Sequence, residues 1–177
     1  MRIISGYLGG RNFESPKNRR THPMSDKMRG GLFNTLGDIK GLSVLDAYSG
    51  SGALAIEAIS RFAKKAVAIE IDKQSSETIK LNIKNLELEN KIKFIRANIS
   101  SYLNNNKNQL FDIILVDPPY DDILTLVLNK LSNHLSDNGI FVLSQPGKEE
   151  NIKISNLEII KNKVYGDSQL VFYKKIR

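Results

Sequence analysis

The 177-residue sequence contains no cysteine. That excludes a disulfide framework, thiolate chemistry and cysteine-based zinc sites. Histidine is nearly absent as well, with only His22 and His134, so the expectation is a protein that uses no metal. No apolar run reaches the length needed to cross a bilayer, and Met1-Arg2-Ile3-Ile4 lacks the long apolar region of a secretory signal. The expectation is a cytoplasmic protein with no membrane partner. What is present, 41% apolar and 25% charged residues, suits one globular domain with a sizeable core.

The net charge is +7. Lysine, asparagine and isoleucine are abundant throughout, a mixture that genome base composition can produce. The distribution says more. Up to Gly37 the basic residues are Arg2, Arg11, Lys17, Arg19, Arg20, Lys27 and Arg29, against Glu14 and Asp26, so this stretch holds +5 of the total. Localised positive charge is the footprint of a polyanion contact; the bland reading is a solvated charged tail.

The N-terminal arm has two short runs around Gly9-Gly10, which allow a small hairpin. Pro16 and Pro23 punctuate a basic loop. Ser25 or Asp26 can cap a helix to about Leu36, with Met28, Leu32, Phe33 and Leu36 on one face, stopped by Gly37. From there strands and helices alternate. Strands are expected at Ser43–Ala47, Ala66–Ile71, Ile92–Arg96, Phe111–Val116 and Gly139–Ser144. Helices are expected at Ala53–Arg61, Ser75–Leu86, Ile99–Leu103 and Asp121–Leu135. Alternation of this kind calls for a parallel sheet covered on both faces. Leu157–Val164 and Gln169–Lys174, around a Tyr165-Gly166-Asp167-Ser168 turn, read as a closing hairpin that puts an antiparallel strand at or near the sheet edge. The expected fold is α/β and Rossmann-like, a mostly parallel seven-stranded sheet, with residues 1–37 as a basic extension and 38–177 as the main domain.

Two segments carry chemistry. Asp117-Pro118-Pro119-Tyr120 follows the buried run Phe111–Val116. The prolines fix the backbone and remove N–H donors, so the turn presents an acidic side chain and carbonyl oxygens to a planar amine. Tyr120 can stack on a base. Upstream, Asp46-Ala47-Tyr48-Ser49-Gly50-Ser51-Gly52 joins a strand to a helix, and Gly50 and Gly52 let backbone approach a ligand. No Gly-Lys-Ser or Gly-Lys-Thr follows, which disfavours a triphosphate loop, and Leu54-Ala55 stands where a dinucleotide fingerprint needs its third glycine. Asp46 disfavours a pyrophosphate and favours the amino group of an aminoacyl ligand. Glu70, about 20 residues on, is placed to accept from ribose hydroxyls. Asn98 can pair with an adenine edge, and Ile71 and Ile99 can sandwich the ring. Together with Ser49, these residues describe S-adenosylmethionine better than NAD.

These features resemble the class I S-adenosylmethionine-dependent methyltransferases and, within them, the RsmD family of bacterial 16S rRNA guanine-N2 methyltransferases. The resemblance covers nearly the whole chain. It rests on Met1–Gly6 with Gly10-Arg11, on Pro23–Arg29 with Leu32-Phe33-Asn34, and on Gly50–Leu54 with Glu57-Ala58 and Ser60-Arg61. Asp117–Tyr120 and Tyr165–Ser168 complete it. Departures are Met24 for a usual threonine, Gly30-Gly31 for an acidic residue and an alanine, Ser144 for a common acidic residue, and Phe62 for a frequent glycine. Each helical glycine is expected to weaken its helix by about 1 kcal/mol.

The resemblance implies methyl transfer to N2 of one guanine in the helix-31 loop near the ribosomal P site, with S-adenosylhomocysteine as the other product. Asp117, Pro118, Pro119 and Tyr120 are then the catalytic turn. Asp46, Ser49, Gly50, Gly52, Glu70, Ile71, Asn98, Ile99 and Asp117 hold the donor. Arg2, Arg11, Lys17, Arg19, Arg20 and Arg29 contact RNA, with Arg29 reaching either RNA or donor. His22 is expected to face RNA or solvent, and His134 to lie on the surface at a helix end. The implied partner is 16S rRNA, alone, in the small subunit or in an assembly intermediate, acted on by a monomer. The alternatives are another nucleic-acid amine methyltransferase, such as an adenine-N6 enzyme, and a non-catalytic RNA-binding assembly protein.

Overall fold

A computed structural model describes residues 1–16 and 24–176. Helix α1 (Asp26–Leu36) starts where Ser25 Oγ accepts from the Met28 N–H at 3.2 Å, and Gly37, at φ 76°, ends it. The expected N-terminal hairpin is present as a short antiparallel pairing: the Arg2–Asn12 bridge is flanked by hydrogen bonds from the Ile3 N–H to the Arg11 carbonyl and from the Phe13 N–H to the Met1 carbonyl, both 2.9 Å. Residues 24–176 alternate as expected, giving β1 (Ser43–Asp46), α2 (Ala53–Ser60), β2 (Lys65–Glu70) and α3 (Lys73–Asn85). After them come β3 (Ile92–Arg96), α4 (Ile99–Asn105), β4 (Phe111–Val116), α5 (Thr125–Ser132), β5 (Leu135–Pro146), β6 (Leu157–Tyr165) and β7 (Ser168–Lys175).

The seven strands form one sheet in the order β3-β2-β1-β4-β5-β7-β6. The first five run parallel, and β7 lies antiparallel between β5 and β6. Both faces are covered, which is why the central strands are continuous apolar runs. One core layer joins α1, α2 and α3 to the sheet and takes in Ile3, Leu8 and Phe13 from the N-terminal arm. The other joins α4 and α5 to the opposite face. Strand order reverses between β1 and β4, and a crevice opens there at the carboxyl ends of the strands.

Two expectations need correction. The helix expected over Asp121–Leu135 is a short 3₁₀ turn at Tyr120–Asp122 followed by α5 alone. Ile123 and Leu124 are extended between them, and no side chain caps α5, so the α-helix begins only at Thr125. Leu135 pairs instead with Phe111 and opens β5 four residues earlier than expected. His134 is buried rather than on the surface, because its Nδ1 lies 2.8 Å from the Gln109 carbonyl.

Candidate active site

Apolar β1 ends in a fully buried charge-bearing residue, Asp46. The chain then turns through Ala47–Gly52 into α2. Gly52 sits at φ 82°, and a Cβ there would lie 2.7 Å from Ile79 Cγ1 of α3, so only glycine lets the loop close this tightly. The turn aims the Ala55 N–H at Asp46 Oδ2, 3.1 Å away, while Ser49 Oγ donates to the Asp46 carbonyl at 2.9 Å. Asp46 Oδ1 has no hydrogen-bond partner. Burial pushes this carboxyl up to about 7; the Ala55 N–H opposes the rise, and the negative charges of Asp117 and Glu70 add to it. A buried, half-satisfied carboxyl among other acids is a cradle for a cation. The α-ammonium of S-adenosylmethionine fits that donor set.

Glu70 ends β2 and clasps the loop. Its Oε2 accepts from the Gly50 N–H at 2.8 Å, and its Oε1 from the Ile71 and Asp72 N–H groups at 2.8 Å each. A carboxylate offers about four lone-pair positions, so room for one ribose hydroxyl remains. Beside it lies a cleft of about 270 Å³ lined by Glu70, Ile71, Asn98, Ile99 and Leu124 among others. Ile71 is 58% exposed and Leu124 61%, apolar faces that an aromatic ring can cover. Asn98 caps α4, accepting from the Ser100 N–H at 2.9 Å. Its oxygen keeps one lone pair, and its amide NH₂ can meet an adenine acceptor.

Asp117 follows β4, the parallel neighbour of β1. The residue is half-buried and its carboxyl is desolvated, which raises it to about 6, against the opposing effect of a hydrogen bond from Ser144. Pro118 is buried and Pro119 exposed. Tyr120 is 39% exposed, and its hydroxyl is pinned: it donates to Ser168 Oγ at 2.7 Å and lies 3.3 Å from Ser144 Oγ. The donor-loop residues, Glu70, Ile71, Asn98, Ile99 and the Asp117–Tyr120 turn thus gather along the carboxyl ends of β1 to β4.

The basic arm is less uniform. Arg2 and Arg11 are exposed; Arg2 lies 3.7 Å from Asp26, and Arg11 donates to the Asn85 carbonyl at 3.4 Å. Lys17, Arg19, Arg20 and His22 lie outside the described residues. Arg29 contradicts its expected contact with RNA or donor, being fully buried. Its guanidinium donates to the Arg2 carbonyl at 2.6 Å, to Asp26 at 2.9 Å and to the Met24 carbonyl at 3.4 Å, and its Nε lies 4.0 Å from Glu57. The reason is packing: Met28, Leu32 and Phe33 press α1 onto the core and carry Arg29 inward with them. Glu57, which entered the sequence reading only as part of a motif, is the buried hub of this contact, accepting from the Ile4 and Ser5 N–H groups and from Arg61 Nε. Sequence reasoning also missed Ser144 and Ser168 as neighbours of the Asp117–Tyr120 turn. The signals were present: Ser144 as a departure and Ser168 as the end of a recognised turn.

The fold and its crevice define a class I S-adenosylmethionine-dependent methyltransferase. The chain is 35% identical over 175 residues to the ribosomal RNA small subunit methyltransferase D of Buchnera aphidicola, covering 97% of this chain and 91% of that protein. It is 36% identical to the Escherichia coli K12 protein of the same name over 140 residues, 78% of this chain and 68% of that one. The solved yhhF structure from Escherichia coli superposes with a TM-score of 0.88 at 30% identity, covering 99% of this chain and 97% of the other. Residues 1–174 match the model of the family described as conserved hypothetical protein 95; the chain belongs to that family, the RsmD family.

Proposed function

We propose that this protein transfers a methyl group from S-adenosylmethionine to the exocyclic N2 of one guanine in 16S rRNA, within the small ribosomal subunit or an intermediate of its assembly. The observation that carries the reading is the pairing of two carboxyls at adjacent strand ends: Asp46 with its unpartnered buried oxygen, and Asp117 in its Pro-Pro-Tyr turn. The names of the relatives support the substrate class.

When bound, the donor supplies an electrophilic sulfonium methyl. Asp46 would hold its ammonium, Glu70 a ribose hydroxyl, and Asn98, Ile71 and Ile99 its adenine. A guanine amine is a poor nucleophile because its lone pair is delocalised into the ring. Asp117 and the Pro118 carbonyl accept its two N–H bonds, which localises that lone pair and aims it. Positioning then supplies much of the rate, and the Asp117 carboxylate stabilises the positive charge that develops on nitrogen. Asp117 is also placed to take the proton that the nitrogen releases. Tyr120 stacks on the base once it leaves its neighbours. Residues 1–37 form a basic extension of the 38–177 methyltransferase domain, and Arg2, Arg11, Lys17, Arg19 and Arg20 contact phosphates. The enzyme acts as a cytoplasmic monomer. Among the described residues no helix is long and apolar enough to cross a membrane, and no His, Asp and Glu cluster could hold a metal ion.

The test is methyl transfer from labelled donor to small subunits lacking the modification, with nucleoside mass spectrometry of the product. N2-methylguanosine at one site is the expected result. Label in adenine or in DNA would move the activity to another amine, and no transfer to any nucleic acid would overturn the reading.

A further inference from the structure

Among the motifs singled out in the sequence, the terminal turn Tyr165-Gly166-Asp167-Ser168 has no part in the chemistry described so far. In the fold it is joined to the catalytic turn. The Tyr120 hydroxyl donates to Ser168 Oγ at 2.7 Å and lies 3.3 Å from Ser144 Oγ. Ser144 is buried on β5, and its hydroxyl acts on the Asp117 carboxyl, opposing the rise that burial causes. Ser144 and Ser168 stand near one another because β5 and β7 pair antiparallel, with Ser144 opposite Leu170 and Pro146 opposite Ser168.

The far end of the turn is anchored too. A Cβ on Gly31 would collide with the Tyr165 hydroxyl, so the glycine that weakens α1 also lets Tyr165 pack against that helix. The run of contacts leads from α1 through the terminal hairpin to Tyr120, Ser144 and Asp117.

We propose that Ser144 and Ser168 are positioning residues for methyl transfer: Ser168 on β7 holds the Tyr120 ring by its hydroxyl, and Ser144 on the neighbouring β5 orients the Asp117 carboxyl. Each hydroxyl has one proton to give. While Asp117 is ionised, Ser144 donates to it and Tyr120 donates to Ser168. When Asp117 carries a proton it donates to Ser144, whose own proton then turns toward Tyr120 across the 3.3 Å gap. Ser144 thus orients the carboxylate that receives the amine and favours its ionised form. Ser168 restrains the tyrosine at its hydroxyl end and leaves the ring as a fixed stacking surface, consistent with its 39% exposure.

The catalytic part of this proposal rests on the function proposed above; the link between Ser144 and Asp117 does not. Two measurements separate them. The first is titration of the Asp117 carboxyl by carbon NMR in the free protein. Ser144→Ala is expected to raise its midpoint by about half a pH unit or more, because a hydrogen bond to the charged form is lost. An unchanged midpoint would overturn the link whether or not the protein methylates RNA. The second is steady-state transfer to small subunits. Ser144→Ala is expected to lower kcat about tenfold and to move the acid limb of its pH profile upward, with donor affinity measured by calorimetry retained. Ser168→Ala is expected to lower kcat without moving that limb, and Ser168→Thr to restore it. If Ser168→Ala leaves kcat unchanged, the hairpin anchor is wrong. If both alanine variants lose thermal stability and donor affinity in proportion to kcat, the serines are merely structural. Wild-type protein inactive on every RNA would refute the proposed function, and the titration would still decide the Ser144 link.

Discussion

Asp46 and Asp117 stand at the same ends of neighbouring parallel strands, so two desolvated carboxyls lie close enough to repel one another. Each is raised above the ordinary carboxylate range by burial, and Asp117 adds to the rise at Asp46 through repulsion. Under the proposed function this pair favours positive charge, which donor and developing product would both bring.

Asp117→Ala is expected to lower methyl transfer about 10²–10³-fold while donor binding by calorimetry stays nearly intact. Equal loss of donor binding would remove the assigned role. Burial raises the Asp117 carboxyl to about 6, and the ionised form is the one proposed to receive the amine, so wild-type kcat should fall as pH drops through about 6.

Asp46→Asn separates stability from function. A carboxyl raised to about 7 in the fold and near 3.8 unfolded binds a proton in the native state between those values. By linkage, stability is present at low pH and is lost as pH rises toward 7. The asparagine variant should therefore resist urea better than wild type at pH 8, by roughly 1–3 kcal/mol, with the gain vanishing near pH 4. The same variant should lose donor affinity. A gain independent of pH would contradict the assigned cause.

Glu57→Ala is expected to cost about 3–5 kcal/mol in denaturant unfolding, because it leaves Arg29 buried beside no carboxylate except the half-exposed Asp26. It also orphans the Ile4 and Ser5 N–H groups that fasten the N-terminal arm to α2. Amide exchange should accelerate first in residues 3–13; a uniform change across the chain would argue against a local fastening.

Neutralising Arg19 and Arg20 together should reduce the slope of log affinity for RNA against log salt by about 1.4, since each phosphate contact on a single strand releases about 0.7 counterions. An unchanged slope would take the arm out of the interface.

Phe62 follows α2 at φ 69°, in the left-handed region, and is 54% exposed. Its ring gains only a tilted contact with Tyr7, at 5.7 Å between centroids. Phe62→Gly is expected to raise stability by about 1 kcal/mol, because glycine meets no Cβ clash there; a loss of stability would mean the Tyr7 contact outweighs the strain.

The sequence alone determined the alternation of strands and helices, the glycine turn after β1 and the Asp-Pro-Pro-Tyr turn after β4. Each is a local matter: apolar runs, glycines that permit positive φ, and prolines that remove donors act within a few residues of themselves. Tertiary structure alone decided the rest. Arg29 reads as an exposed arm residue until α1 packs and buries it against Glu57, 28 positions away in the sequence. Ser168 reads as the end of a hairpin turn until antiparallel pairing brings it beside Tyr120, 48 positions earlier. Charge and turn propensity along the chain carry no information about which face a packed helix will bury, or which turn an antiparallel strand will place at the crevice. Those outcomes depend on how the two core layers close over the sheet.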